Sequence, residues 1–118
     1  MQAVILAAGE GTRMRPLTYT RPKVMLPIAN KPILEHLIIE LVNAGIRDIV
    51  LIVGYMEEVI RRYFGDGRYW NVKLTYVSQR KQLGTADALK AASHLLDDDF
   101  LMLNGDNIVK AEDLAKLI

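Results

Sequence analysis

Ala3-Val4-Ile5-Leu6-Ala7-Ala8-Gly9-Glu10-Gly11-Thr12-Arg13-Met14-Arg15-Pro16-Leu17-Thr18 carries an apolar run straight into a glycine-rich turn. The apolar part, Gln2 to Ala7, has the length and composition of a buried strand. A glycine turn at the C-terminal end of a parallel strand is where α/β folds bind phosphate. With no Cβ in the way, backbone N–H groups can come close to an anion. Between Gly11 and Leu34 there is no Asp or Glu, and Arg13, Arg15, Arg21, Lys23 and Lys31 carry all the charge. Arg13 and Lys23 supply what a polyphosphate needs. The chain as a whole has a net charge of only +1, so the positive field is local.

Two common phosphate loops are excluded. The dinucleotide fingerprint needs a third glycine where Met14 stands, and Pro16, Pro22 and Pro27 stop a long helix from starting at the turn. The second apolar run ends in Val53-Gly54, with no acid to hold a ribose hydroxyl. A Walker loop needs Gly-Lys-Ser/Thr, which does not occur. The loop is therefore expected to be extended, basic and stiffened by proline. It would wrap a triphosphate from one side and leave the other to a metal. A tight turn with solvated arginines is the competing reading of a lone Gly-x-Gly.

Beyond the loop, strand and helix patterns alternate. Ile33, Leu34, Leu37, Ile38, Leu41 and Val42 repeat with a helical period, with Pro32 at the first helical position and Gly45 closing the helix. Ile49 to Val53 is apolar on both faces, as in a central parallel strand. Glu57 to Phe64 reads as a short helix ending at Gly65, and Asp66 to Asn71 as a loop. Val72 to Val77 alternates, which suits a strand near an edge. Thr85 can cap a helix that runs through Leu96, and Phe100 to Leu103 is again apolar on both faces. Alternation of this kind gives an α/β fold, a Rossmann-like doubly wound sheet.

Composition narrows the class. At 118 residues and 51% hydrophobic, the chain holds one domain at most and is not disordered. It has no cysteine, hence no disulfide or thiol chemistry. The apolar runs are too short for a membrane span and no secretory signal precedes the first strand, so the expected compartment is cytoplasmic and no membrane partner is expected. The near-neutral charge argues against a nucleic-acid partner.

The string resembles the signature of the sugar-1-phosphate nucleotidylyltransferases, LxxGxGTRxxPLT followed by PKxxLP. Gly9, Gly11, Thr12, Arg13, Pro16, Leu17, Thr18, Pro22, Lys23, Leu26 and Pro27 match it. Gln79-Arg80-Lys81-Gln82-Leu83-Gly84-Thr85-Ala86 is similar to the family's base-reading turn, and Leu103-Asn104-Gly105-Asp106-Asn107 to its metal-binding strand end. The resemblance implies strand order three-two-one-four, so that the Gly9–Arg13 loop and Asp106 meet at a topological switch point. It implies nucleotide contacts from Leu6, Ala7, Ala8, Gly9, Gly11, Thr12, Arg13, Gln79, Gly84 and Thr85. It implies catalytic roles for Arg13, Lys23 and Asp106, with Mg²⁺ on Asp106.

The implied reaction joins UTP or dTTP to a sugar 1-phosphate and releases pyrophosphate. Both reactants are anions, so positioning and charge neutralisation are the protein's tasks. A hard carboxylate at Asp106 suits Mg²⁺, and a guanidinium at Arg13 suits forked phosphate contacts. The Gln79 amide can both donate and accept, matching the N3–H and O4 edge that uracil and thymine share. Arg15, Arg21 and Lys31 are expected to be solvated, and Glu10 is assigned no chemistry. His36, His94 and Asp97-Asp98-Asp99 read as structural or solvated, and Tyr69 and Trp70 as packing for a loop. Ala111 to Ile118 begins a helix with no C-cap signal. The 118 residues are thus expected to be the nucleotide-binding N-terminal part of one nucleotidyltransferase domain, with the remainder absent. A non-catalytic nucleotide-binding module is the alternative. Phe100 to Leu103, left at an edge, would favour self-association.

Overall fold

The computed structural model describes residues 1–79, 89–90, 92–96, 99–106 and 110–113. Strand β1 (Gln2–Ala7) leads into the glycine turn, and a hairpin of β2 (Pro27–Ile28) and β3 (Lys31–Pro32) delivers the chain to helix α1 (Ile33–Asn43). Then come β4 (Asp48–Val53), helix α2 (Glu57–Phe64), β5 (Lys73–Ser78) and β6 (Phe100–Asn104). The principal sheet is parallel throughout, in the order β5-β4-β1-β6. That is the three-two-one-four order of the principal strands. The chain leaves β1 toward β4 on one side and returns to β6 on the other, which makes β1/β6 the switch point.

Period-two alternation assigns the faces. Ala3, Ile5, Ala7, Ile49, Leu51 and Val53 pack into the larger core with Leu34, Leu37, Ile38 and Leu41 of α1 and Ile60 and Phe64 of α2. Val4, Val50 and Ile52 face the opposite way, onto Ala92 and half-buried Leu89, Leu95 and Leu96. Leu34, Ile38 and Leu41 are inaccessible to solvent. Truncating any one of them to Ala would cost ~2–5 kcal/mol. Helix α1 ends in paired bonds, Gly45 N–H to the Val42 carbonyl and Ile46 N–H to that of Leu41, the Schellman arrangement.

Several expectations shift in detail. Pro32 caps α1 from β3 and does not sit within it, because its ψ of 146° is extended. β5 lies one residue later than expected, at Lys73–Ser78, and the stretch before Leu96 tightens into a 3₁₀ turn at Ser93–Leu95. The expected extended loop is corrected: residues 12–25 coil into 3₁₀ turns at Thr12–Met14, Leu17–Tyr19 and Lys23–Met25. Local i to i+3 bonds, such as Met14 N–H to Gly11 and Met25 N–H to Pro22, satisfy backbone that no sheet partner reaches. The two-residue strands β2 and β3 were not legible in the sequence. Their turn, Ala29-Asn30, has positive φ at both residues, the primed geometry that suits a tight hairpin.

Glu35 of α1 is buried. Its carboxylate accepts hydrogen bonds from the Tyr63 hydroxyl and, at 3.2 Å, from Trp70 Nε1. Trp70 in turn lies 4.9 Å from the rings of both Phe64 and Tyr69. The expected packing role holds for Trp70 but not for Tyr69, which is 88% exposed.

Candidate active site

The C-terminal ends of the four strands gather the candidate residues. β1 continues into Ala8–Gly11, β4 into Gly54-Tyr55, β5 into Gln79 and β6 into Gly105-Asp106. Gly105 N–H donates to the Leu6 carbonyl at 2.9 Å, and Tyr55 N–H to that of Ala8 at 3.0 Å. These bonds occupy the backbone of Leu6 and Ala8 and fix the stem of the glycine turn. Gly9 is exposed beyond it.

Two glycines have steric reasons to be there. Gly11 sits at φ 76°, and a Cβ there would lie 2.6 Å from Lys23 Cβ. Glycine is thus what lets Lys23 cross the turn. A Cβ on Gly54 would lie 2.5 Å from the Gln79 carbonyl oxygen and 3.1 Å from that of Ala8. Those are backbone atoms that cannot swing aside, so Gly54 sets the floor of the cleft.

That cleft has a volume of about 520 Å³ and is lined by Ala8, Glu10, Thr12, Gly54, Tyr55, Glu57, Ser78 and Gln79. Gln79 is buried in its wall, with its N–H donated to the Val53 carbonyl at 2.7 Å. Gly84 and Thr85, with Arg80 to Ala86 of the expected base-reading turn, lie outside the described residues, as do Asp97, Asp98 and Asn107.

At the switch point, Lys23 Nζ donates to Asp106 Oδ2 at 2.9 Å across 83 positions of sequence. The side chains are 40% and 35% exposed. A pair that exposed contributes only ~0–1 kcal/mol, so either partner is easily drawn to a phosphate or a cation. Arg13 is exposed and has no hydrogen-bond or ion-pair partner among the described residues. Thr12 is exposed, and Ala7 is buried beneath the turn. Lys23 and Asp106 are thus brought together, and Arg13 stands free on the same loop.

The donor set fits a magnesium ion. Among the described residues no three His, Cys, Asp or Glu side chains converge. Mg²⁺ does not require such a cage: it typically takes one or two carboxylates, substrate phosphate oxygens and waters. Asp106 is the carboxylate at the β6 tip, and among the described residues Lys23 is its one ion-pair partner.

Sequence reasoning missed several members. Tyr55 lines the cleft and its hydroxyl donates to the Thr18 carbonyl at 2.6 Å, tying the tip of β4 to the loop. Buried Thr18 hydrogen-bonds back to the Gly11 carbonyl at 3.4 Å. On the rim, Ser78 donates to Glu57 at 2.9 Å and receives Arg61 at 3.3 Å. Gly54-Tyr55 directly after a central strand was the available signal for the first of these. Arg15 is not simply solvated, as expected, but grips Glu10 through Nε at 2.5 Å and Nη2 at 2.9 Å. His36 is satisfied by the Ile28 carbonyl at 2.6 Å, as a structural histidine should be.

The whole arrangement aligns with one family of known proteins, the nucleotidyl transferases, over residues 2–118. The chain belongs to that family. It is 47% identical over 111 residues to the UTP–glucose-1-phosphate uridylyltransferase AglF of Haloferax volcanii, covering 94% of this chain and 45% of that protein. It is 52% identical over 108 residues to the bifunctional protein GlmU of Methanococcus maripaludis, covering 92% of this chain and 25% of that one. Its structure matches that of a Bacillus anthracis protein assigned as a glucose-1-phosphate thymidylyltransferase and solved in complex with sucrose, at TM-score 0.87 and 31% identity, over 99% of this chain and 50% of that one. This nucleotidyl transferase chain therefore spans a quarter to less than half of these two curated relatives. Among the described residues, no helix is long and apolar enough to cross a membrane.

Proposed function

We propose that the protein carrying this chain transfers a nucleotidyl group from UTP or dTTP to a sugar 1-phosphate, with Mg²⁺, and releases pyrophosphate. The observation that carries the proposal is the Lys23–Asp106 contact, which joins the phosphate loop to the acid at the β6 tip.

In the reaction, an oxygen of the sugar phosphate forms a bond to the α-phosphorus. The bond from that phosphorus to the bridging oxygen of pyrophosphate breaks. The backbone N–H groups around Gly9 to Thr12 and the free guanidinium of Arg13 would face the departing pyrophosphate, where forked donors stabilise the growing charge. Lys23 leaves Asp106 for the α-phosphate or the incoming sugar phosphate, an exchange of one weak ion pair for another. Asp106 would hold Mg²⁺, which when bound supplies Lewis-acid neutralisation of the phosphate oxygens and fixes their orientation. Gln79, in the cleft wall, reads the edge common to uracil and thymine, and Gly84 and Thr85 are proposed to complete that base site. Similarity to a uridylyltransferase and to a thymidylyltransferase fold supports the sugar-phosphate class and leaves both nucleotides in play.

The test is a turnover screen of the full-length protein that crosses nucleoside triphosphates with sugar 1-phosphates and detects pyrophosphate. Release that needs a sugar 1-phosphate and UTP or dTTP is the expected result. Nucleotide binding with no turnover against any sugar phosphate would instead favour a binding module.

A further inference from the structure

We infer that Arg15 serves nucleotide binding through Glu10, neutralising a carboxylate that faces the cleft and making no contact of its own with the triphosphate. The inference rests on the function proposed above and concerns the same site.

Glu10 stands between Gly9 and Gly11, and its residue lines the cleft beside Thr12, Tyr55 and Gln79, whereas Arg15 does not. An acid there would repel a triphosphate approaching the loop. Arg15 removes that repulsion by engaging both carboxylate oxygens, Nε to Oε2 at 2.5 Å and Nη2 to Oε1 at 2.9 Å. The fork-to-fork geometry is the strong form of this contact. The Glu10 side chain is 18% exposed and that of Arg15 47%, so the acid lies inside and the base outside. On its outer side the guanidinium sits 5.5 Å from the Tyr19 ring centroid, which holds it in place. The hydrogen bond from Arg15 lowers the Glu10 pKa below the ordinary value, so the carboxylate stays ionised and keeps needing its partner.

Together the pair presents little net charge to the cleft. Arg13, on the 3₁₀ turn that the pair spans, is then the loop's uncompensated cation. The two arginines of Thr12-Arg13-Met14-Arg15 thus have different tasks: Arg13 answers the phosphates, and Arg15 answers Glu10.

Calorimetric binding of UTP and of dTTP to the full-length protein decides between this and direct contact. Arg15→Met should weaken binding roughly tenfold, because it leaves a bare carboxylate at the phosphate site. Glu10→Gln should tighten binding, because it leaves the Arg15 charge uncompensated beside the cleft. The decisive variant is the double, Arg15→Met with Glu10→Gln, which should recover most of the affinity lost in Arg15→Met. Arg15→Gln, alone and together with Glu10→Gln, gives the same comparison if Arg15→Met does not fold. A double variant as weak as Arg15→Met would show that Arg15 touches the phosphates and would overturn the inference. Unchanged affinity in Arg15→Met would reduce the pair to a surface ion pair and overturn it too. Wild-type protein that binds neither nucleotide would instead bring down the functional reading on which the inference stands.

Discussion

The charged groups at the C-terminal ends of the strands and the charged group under α1 are handled in opposite ways. At the strand ends, Glu10 and Asp106 keep partial access to water and are paired with full cations, Arg15 and Lys23. Under α1, Glu35 is buried and is satisfied by neutral donors, the Tyr63 hydroxyl and Trp70 Nε1. A half-exposed single-contact pair such as Lys23–Asp106 is weak and exchangeable, which suits the charged ligands proposed for this site. A buried carboxylate closed by an O–H and an N–H is costly to disturb and has nothing to exchange, which suits a joint between α1, α2 and the loop before β5. The difference separates residues whose loss should stop chemistry from residues whose loss should loosen the fold.

Breaking the first side should have the largest effect. Asp106→Asn and Arg13→Ala in the full-length protein should each lower kcat by at least ~100-fold, the scale for losing a charge stabiliser of the transition state. Their melting temperatures should stay near wild type, because Arg13 has no described partner to lose and the Asp106 pair is weak. Pyrophosphate release and calorimetry check both halves, and near-normal kcat in either variant would sink the assignment.

Gln79→Ala tests the cleft wall. It should raise KM for UTP and dTTP by the equivalent of ~1–3 kcal/mol, the cost of an unpaired base edge, without unfolding the protein. Unchanged KM and base selectivity would make Gln79 part of the wall and nothing more.

Breaking the second side should reverse the pattern. Glu35→Gln should cost about 1–3 kcal/mol of stability by mispairing one of two donors, while kcat stays within about twofold of wild type. Denaturant titration beside the turnover assay would show it. Loss of activity without loss of stability would erase the distinction between the two regions.

The smallest effect is on alkaline stability. The hydrogen bond to Glu35, then burial, raises the Tyr63 pKa from 10.0 to about 12, and burial does the same for Tyr76. Both raise the folded-state value above the unfolded one. The fold therefore favours the protonated phenols, and their contribution is complete below pH 10 and lost as pH climbs toward 12. Melting temperature should hold steady from neutral pH to about pH 10 and then fall. In Tyr63→Phe the fall should be shallower, whereas Asp106→Asn should follow the wild-type curve.

Much of this was legible in the residues. The boundaries of β1 and α2 coincide with the expected segments, and Ile49 to Val53 is the apolar body of β4. Hydrophobic periodicity reports burial directly, and burial is what defines those elements. The 3₁₀ coiling of residues 12–25 was not legible, because short i to i+3 turns leave no periodic signal. Nor was the β2–β3 hairpin, whose Ala29-Asn30 turn lacks the glycine that would have announced it.

The two ion pairs at the strand ends divide the same way. By itself the sequence determined a glycine turn after a buried strand, a local excess of cations and an acid after the last principal strand. Those follow from composition and order along the chain, which need no third dimension. Only the tertiary structure decided that Lys23 meets Asp106, because a contact across 83 positions exists by virtue of β6 pairing with β1 in parallel. It alone decided that Glu10 lines the cleft while Arg15 stands behind it, because spacing can put two opposite charges within reach but cannot say which one faces the ligand. Side-chain direction is set by the backbone conformation of the turn, and that conformation depends on Gly11, Lys23 and Thr18 packing against one another from separate parts of the chain.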